Sequence, residues 1–159
     1  MAQKETLSSL THGNFAKELS ISAGKMPPNA VEFEKLVIGT FLIDNKGIDL
    51  LTPEVFYDPR HQVIFSAILK LYEKNEPVDL MTVIQELKKE EKLGFAGGDH
   101  YIIDLTMGVS SSAHIEYHVR VILEKFILRS LINVSANVID SSYKESTDVF
   151  ELLDKAEQS

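Results

Sequence analysis

"SSAHIEYHVRVILEKFILRSLINVSANVID", Ser111 to Asp140, decides how this chain is built. At ~100° per residue, Ile115, Val119, Ile122 and Phe126 fall in one stripe, the pattern of a helix packed on its own domain. Past Phe126 the pattern rotates. Arg129, Asn133, Asn137 and Asp140 take over that arc, while Ile127, Leu131, Val134 and Val138 form one new stripe and Leu128, Ile132 and Ile139 another. Together the new stripes span roughly 160°, wider than the ~100° that suffices for a helix packed on one side. The second half of the helix is therefore expected to face different partners from the first.

Downstream, "TDVFELLDKAEQS" reads as a last helix beginning near Thr147 that folds back through Val149, Phe150, Leu152, Leu153 and Ala156. This hairpin covers part of the apolar surface, and the remainder is expected to meet another chain. The candidate partner-binding residues are Ile127, Leu128, Leu131, Ile132, Val134, Val138, Ile139, Phe150 and Leu153. Upstream, Ser110 to Ser112 supply caps for the long helix, which is expected to reach about Tyr143.

The preceding segments are helical as well. Asn29 can cap a helix running to about Ile43, with Glu32 and Glu34 near its positive end, Val37 and Phe41 on one face, and Gly39 marking close packing. Asp58 and Pro59 open a second, with Ile64, Phe65, Ile68, Leu71 and Tyr72 as its apolar face. Asp79 caps a third with the stripe Leu80, Val83, Ile84 and Leu87, stopped at Gly94, its charge run Glu86 to Lys92 reading as a solvated face. Gly97-Gly98 turn the chain so that Asp99 can cap a short helix to about Met107. No alternating strand appears, so the fold class is all-α: a flexible arm over 1–28, a compact helical globule over 29–112, and the long helix with its hairpin over 113–159.

With 159 residues the chain can bury a core without clips, and it has no cysteine, which excludes thiolate nucleophiles, disulfides and cysteine-ligated zinc. The absence of a signal-like run or a long apolar segment leads to the expectation of a soluble, cytoplasmic protein with no membrane partner. A net charge of -8 opposes binding to duplex DNA through its phosphates.

Catalytic constellations do not assemble. "GFAGGDHY" lacks the Lys and Ser/Thr of a phosphate-binding loop, and Asp99 places negative charge where phosphate would sit. Gly24-Lys25 lacks the first glycine and the hydroxyl of that motif. His114 and His118 share a helical face, but Glu116 points away by about 200°, unlike the zinc-peptidase arrangement. His61 sits among Ile64, Phe65 and Ile68 and reads as a hydrogen-bonded core histidine, while His100 is placed to orient a loop. No enzyme activity, metal or cofactor is expected of these residues.

Taken in order, "PPNAVEFEKLVIGTFLID", "FYDPRHQVIFSAILKLYEKNEPVDLMTVIQEL", "LGFAGGDHYIIDL" and "SSAHIEYHVRVILEKFILRSLI" resemble the N-terminal domain of the bacterial replicative DNA helicase, the DnaB type. The marks are Phe56-Tyr57 with His61, Pro77-Val78-Asp79 with Thr82, Gly97-Gly98 with Tyr101, and Ala113 to Tyr117. The resemblance implies a collar domain: six copies pair through hairpins as a trimer of dimers, recruiting primase and, in some bacteria, a loader. It also implies a RecA-like motor using ATP and Mg²⁺, of which this chain has no part, so Ser159 is expected to be the cut end of an excised domain whose self-association is weak. The alternative, a freestanding helix-turn-helix adaptor on nucleic acid, needs a recognition helix rich in Arg and Lys, which the sequence lacks.

Overall fold

The computed structural model describes residues 23–144 and 148–159, and these are all-helical with no strand. The helices are α1 (Val31–Phe41), α2 (Pro59–Glu73), α3 (Leu80–Lys89), α4 (Gly98–Met107), α5 (Ile115–Ser142) and α6 (Val149–Gln158), with 3₁₀ turns at Ile48–Leu50 and Pro53–Val55. The chain divides into two compact units, Asn29–Phe126, and Met1–Pro28 together with Ile127–Ser159. The division falls inside α5, at the residue where its apolar stripe rotates. The arm expected to be flexible lies, as far as residue 22, outside the described residues.

The core belongs to the first unit. Phe41, Phe56 and Phe65 are fully buried, their rings 5.0–6.0 Å apart in tilted pairs, and Val37, Ile38, Ile64, Ile68, Val83, Leu87, Ile102 and Ile122 surround them. Val119 and Ile122 of the first α5 stripe are buried, with Ile115 and Phe126 packed against the same cluster. Gly39 accounts for the close approach of α1 and α4. A Cβ there would come within 2.1 Å of the Leu105 carbonyl oxygen and 2.7 Å of Val109 Cγ2, so no other residue fits without separating the helices.

Several expected boundaries move. The N-cap of α1 is Ala30, without a side-chain cap bond, and not Asn29; the helix ends at Phe41. Its first acidic turn is used elsewhere, because Glu34 turns into the core. α3 stops before Gly94: Glu91 takes φ 58°, its N–H reaches Lys88 O and Lys92 N–H reaches Leu87 O, closing a left-handed cap without glycine. Asn75 ends α2 in the same way. The cap of α4 is Gly97, at φ 102°, so Asp99 lies inside the helix, and His100 is exposed on it and orients no loop.

Tyr72 is exposed, since Leu71 takes the inward position. Ser111 Oγ accepts from Ala113 N in a turn ahead of α5, which starts only at Ile115. α6 begins at Val149, capped by Asp148 through Phe150 N at 2.9 Å; Thr147 lies outside the described residues. The caps at Asp58 and Asp79 stand as read, the latter a capping box with Thr82.

Candidate partner-binding surface

Beyond Phe126, α5 no longer buries its large side chains. Ile127 is 55% exposed, Leu128 44%, Leu131 54% and Ile139 39%, whereas Ile132, Val134 and Val138 are half-buried. α6 carries an apolar face, Val149, Phe150, Leu152, Leu153 and Ala156, yet no residue in it is buried. Phe150, 79% exposed, and Leu153, 55% exposed, therefore present apolar area comparable with that of α5. Leu152 is half-buried where α6 and α5 meet: with Val138 it lines both clefts between them, one of about 340 Å³ that adds Val134 and Ser141, the other of about 410 Å³ that adds Val149 and Ala156. The Val134–Val138 side of α5 is thus the side turned to its own hairpin. All nine sequence-predicted residues lie on these two helices.

A second arrangement, missed in the sequence, sits inside the globule. Glu34, 1% exposed, accepts from Tyr57 N at 2.6 Å and Asp58 N at 3.2 Å, at the start of α2, and its Oε2 lies 2.6 Å from His61 Nδ1. His61 Nε2 lies 2.6 Å from the Tyr101 hydroxyl. Every group is satisfied when Nδ1 donates to Glu34 and Nε2 accepts from Tyr101. The expected core histidine is therefore present; the sequence signal for its partner, passed over in favour of the helix end, is that Glu34 stands seven residues before Phe41 and three before Val37, an acid within an apolar stripe.

Tyr101 reaches His61 because Gly97 has no side chain; a Cβ there would meet the tyrosine ring at 2.8 Å. The two rings stack, and the Arg60 guanidinium lies 4.2 Å from the centroid of Tyr101. Burial raises the Tyr101 hydroxyl pKa above its ordinary value, partly offset by Arg60. Arg60 in turn donates to Asp58 at 2.7 Å and holds that carboxyl below the usual range. Gly97 of the "GFAGGDHY" stretch thus serves a tyrosine contact.

The charge run Glu86 to Lys92, at the end of α3 and just beyond it, is also more than a solvated face. Glu86 is buried and lies 2.5 Å from Lys70, which also donates to Glu90 at 2.6 Å. Hydrogen bonds to these carboxylates raise the Lys70 pKa and lower that of Glu90. The His118 ring packs edge-on against Phe33 at 5.5 Å, and among the described residues no three His, Asp or Glu side chains converge as a metal site.

Residues 26–124 match the family model described as the DnaB-like helicase N terminal domain. The chain belongs to that family. A replicative DNA helicase DnaB from Rhodothermus marinus is 47% identical over 139 residues, covering 85% of this chain and 15% of that protein. One from Geobacillus stearothermophilus is 36% identical over 138 residues, covering 84% of this chain and 30% of that protein. The chain thus spans under a third of the length of these relatives. The crystal structure of the N-terminal domain of DnaB helicase from Mycobacterium tuberculosis superposes with a TM-score of 0.77 at 32% identity, covering 84% of this chain and 97% of that one. A DnaB-like replicative helicase, described with its interactions with primase, shares the fold with a TM-score of 0.71 at 24% identity, over 81% of this chain and 31% of its own. The DnaB-like N-terminal domain is therefore the setting for the apolar surface on α5 and α6.

Proposed function

We propose that this chain is the non-catalytic collar domain of a hexameric replicative DNA helicase, pairing with copies of itself as a trimer of dimers and recruiting primase and, in some bacteria, a loader. The observation that carries this reading is the exposed apolar run of Ile127, Leu128, Leu131 and Ile139 with Phe150 and Leu153. Exposing large side chains on two neighbouring helices is unfavourable unless a partner covers them. Membership of the DnaB-like family supplies the setting, and the fold shared with a helicase that interacts with primase supports the choice of that partner.

In this reading ATP and Mg²⁺ belong to a RecA-like motor domain and the work of this chain is assembly. The net charge of -8 disfavours duplex DNA as a direct partner. Among the described residues no helix is long and apolar enough to cross a membrane, in keeping with a place in the cytoplasm.

Light scattering across a concentration series, with capture of purified primase, tests the proposal on the chain and on Leu131→Asp and Ile132→Asp. Self-association should be weak and concentration-dependent, primase should be retained, and the substitution facing another chain should abolish one or both while leaving the melting temperature unchanged. A chain that stays monomeric at all concentrations and ignores primase overturns the collar reading.

A further inference from the structure

The outer face of α6 is acidic. Leu152 lines both clefts against α5, and Phe150 and Asp154, each two residues from it, lie about 160° away around the helix. Phe150, Leu153, Asp154 and Glu157 have the i, i+3, i+4, i+7 spacing of one helical face, and all four are exposed. Lys155 is tied to Glu151 at 2.9 Å, and among the described residues neither Asp154 nor Glu157 has an ion-pair partner. The face is thus an apolar anchor between two free carboxylates.

That face matches its own copy poorly. Set against itself it would bring four carboxylates together around two phenylalanines with no free cation, and like charges at close range repel. The exposed stripe of α5 differs: from Ile127 to Ile139 the one charged side chain is Arg129, which donates to the Pro28 carbonyl oxygen. A trimer of dimers needs two contacts, one within each pair and one between pairs. The α5 stripe can meet its own copy, whereas the α6 face needs a basic surface.

One such surface lies on the globule. Lys88, Lys89 and Lys92 put three cations into five residues, and all three are exposed. The Lys92 carbonyl oxygen accepts from Ala96 N at 3.0 Å, closing the turn that carries Phe95, 61% exposed. Lys88 Nζ reaches to within 3.8 Å of Asp99 at the start of α4. Of the acids in the run, Glu86 is held by Lys70 and Glu90 by both Lys70 and Lys92, which leaves Glu91. Phe95 beside ammonium groups is the counterpart of Phe150 between carboxylates.

We propose that the Phe150–Leu153–Asp154–Glu157 face of one copy docks on the Lys88–Phe95 turn of another, as the contact joining one pair to the next. This rests on the collar reading and names its second interface. Chains of net charge -8 repel one another at long range, so the ion pairs select which surfaces meet while the two rings and Leu153 leave water.

Sedimentation velocity over a concentration series compares the parent with Asp154→Lys/Glu157→Lys and with Lys89→Glu/Lys92→Glu. Each reversal places like charge on both sides of the contact and should weaken self-association about tenfold or more. An equimolar mixture of the two restores opposite charge across chains and should recover most of the loss. The parent's own association should weaken as salt rises from about 50 mM to about 300 mM. Circular dichroism of both variants should match the parent, since the substituted side chains lie in water. The neutral variant Asp154→Asn/Glu157→Gln should associate with a strength between those of parent and reversal, and parent-like association of it counts against the contact. Reversals that associate as the parent does, or a mixture no tighter than either variant alone, overturn the proposal and leave the collar reading standing. A parent that stays monomeric at every concentration overturns both.

Discussion

Two stretches of the chain solve the same problem in opposite ways. In Asn29–Phe126 the helices bury apolar side chains against one another in a shared core, and even charge is taken inside: Glu34 and His61 are 1% and 0% exposed, and their polar atoms are matched across α1, α2 and α4. In Ile127–Ser159, among the described residues, Ala136 is the fully buried one, while Phe150 stands 79% exposed. The contrast separates a part that specifies its own fold from a part whose surface is completed by something else. Substitutions should therefore register as lost stability in the first and lost association in the second.

The largest effect is expected at Glu34. Glu34→Ala strips the acceptor from Tyr57 N, Asp58 N and His61 Nδ1 at once, leaving buried donors without water. Removing one member of such a buried pair costs about 3–5 kcal/mol, readable by urea denaturation, while Glu34→Gln should lose clearly less because it keeps an acceptor. An Ala variant as stable as the parent would break the comparison on the globule side. Gly39→Ala should follow at about 2–3 kcal/mol: the added methyl meets the Leu105 carbonyl, which is backbone and cannot swing aside, and this outweighs the gain of about 1 kcal/mol in helix propensity.

On the other side, Phe150→Asp should change the melting free energy by no more than about 0.5 kcal/mol, because the ring is already in water. The same substitution should weaken self-association in sedimentation. A cooperative loss of helicity in the monomer would show that the hairpin is a core of its own and not a docking surface.

Most of the helices were legible from periodicity, and the α5 stripe rotates after Phe126, the last residue of the first compact unit. What periodicity misses is chemistry set by approach. Glu34 looked like a favourable acid at a helix N-terminus, a role that needs only local geometry, whereas its real partners Tyr57, Asp58 and His61 come from a different helix and the turn before it. Gly94 looked like the stop of α3 because glycine favours left-handed backbone, yet Glu91 adopts that conformation two residues after Lys89. For the nine candidate surface residues, sequence could name the helices but not the faces, since which stripe turns to α6 depends on the loop between them.

The smallest effect separates two caps that look alike. Asp58 accepts from Arg60 N to cap α2, and Asp148 accepts from Phe150 N to cap α6, but only the first is shown with a guanidinium gripping its carboxylate. That grip lowers the Asp58 pKa, so the folded chain gives up this proton more readily than the unfolded one. The stabilisation is present above the unfolded value of about 3.9 and fades as the pH falls through the lower, folded value. Asparagine keeps a capping oxygen but does not titrate. Asp58→Asn should therefore flatten the acid limb of the stability curve below about pH 4, by less than about 1 kcal/mol because Arg60 is partly in water. Asp148→Asn supplies the cap exchange without that grip. If thermal melts between pH 7 and pH 3 show identical acid limbs for Asp58→Asn and the parent, the arginine clamp contributes nothing to the folded state, and the globule's charged groups would resemble those of the hairpin more closely than their geometry implies.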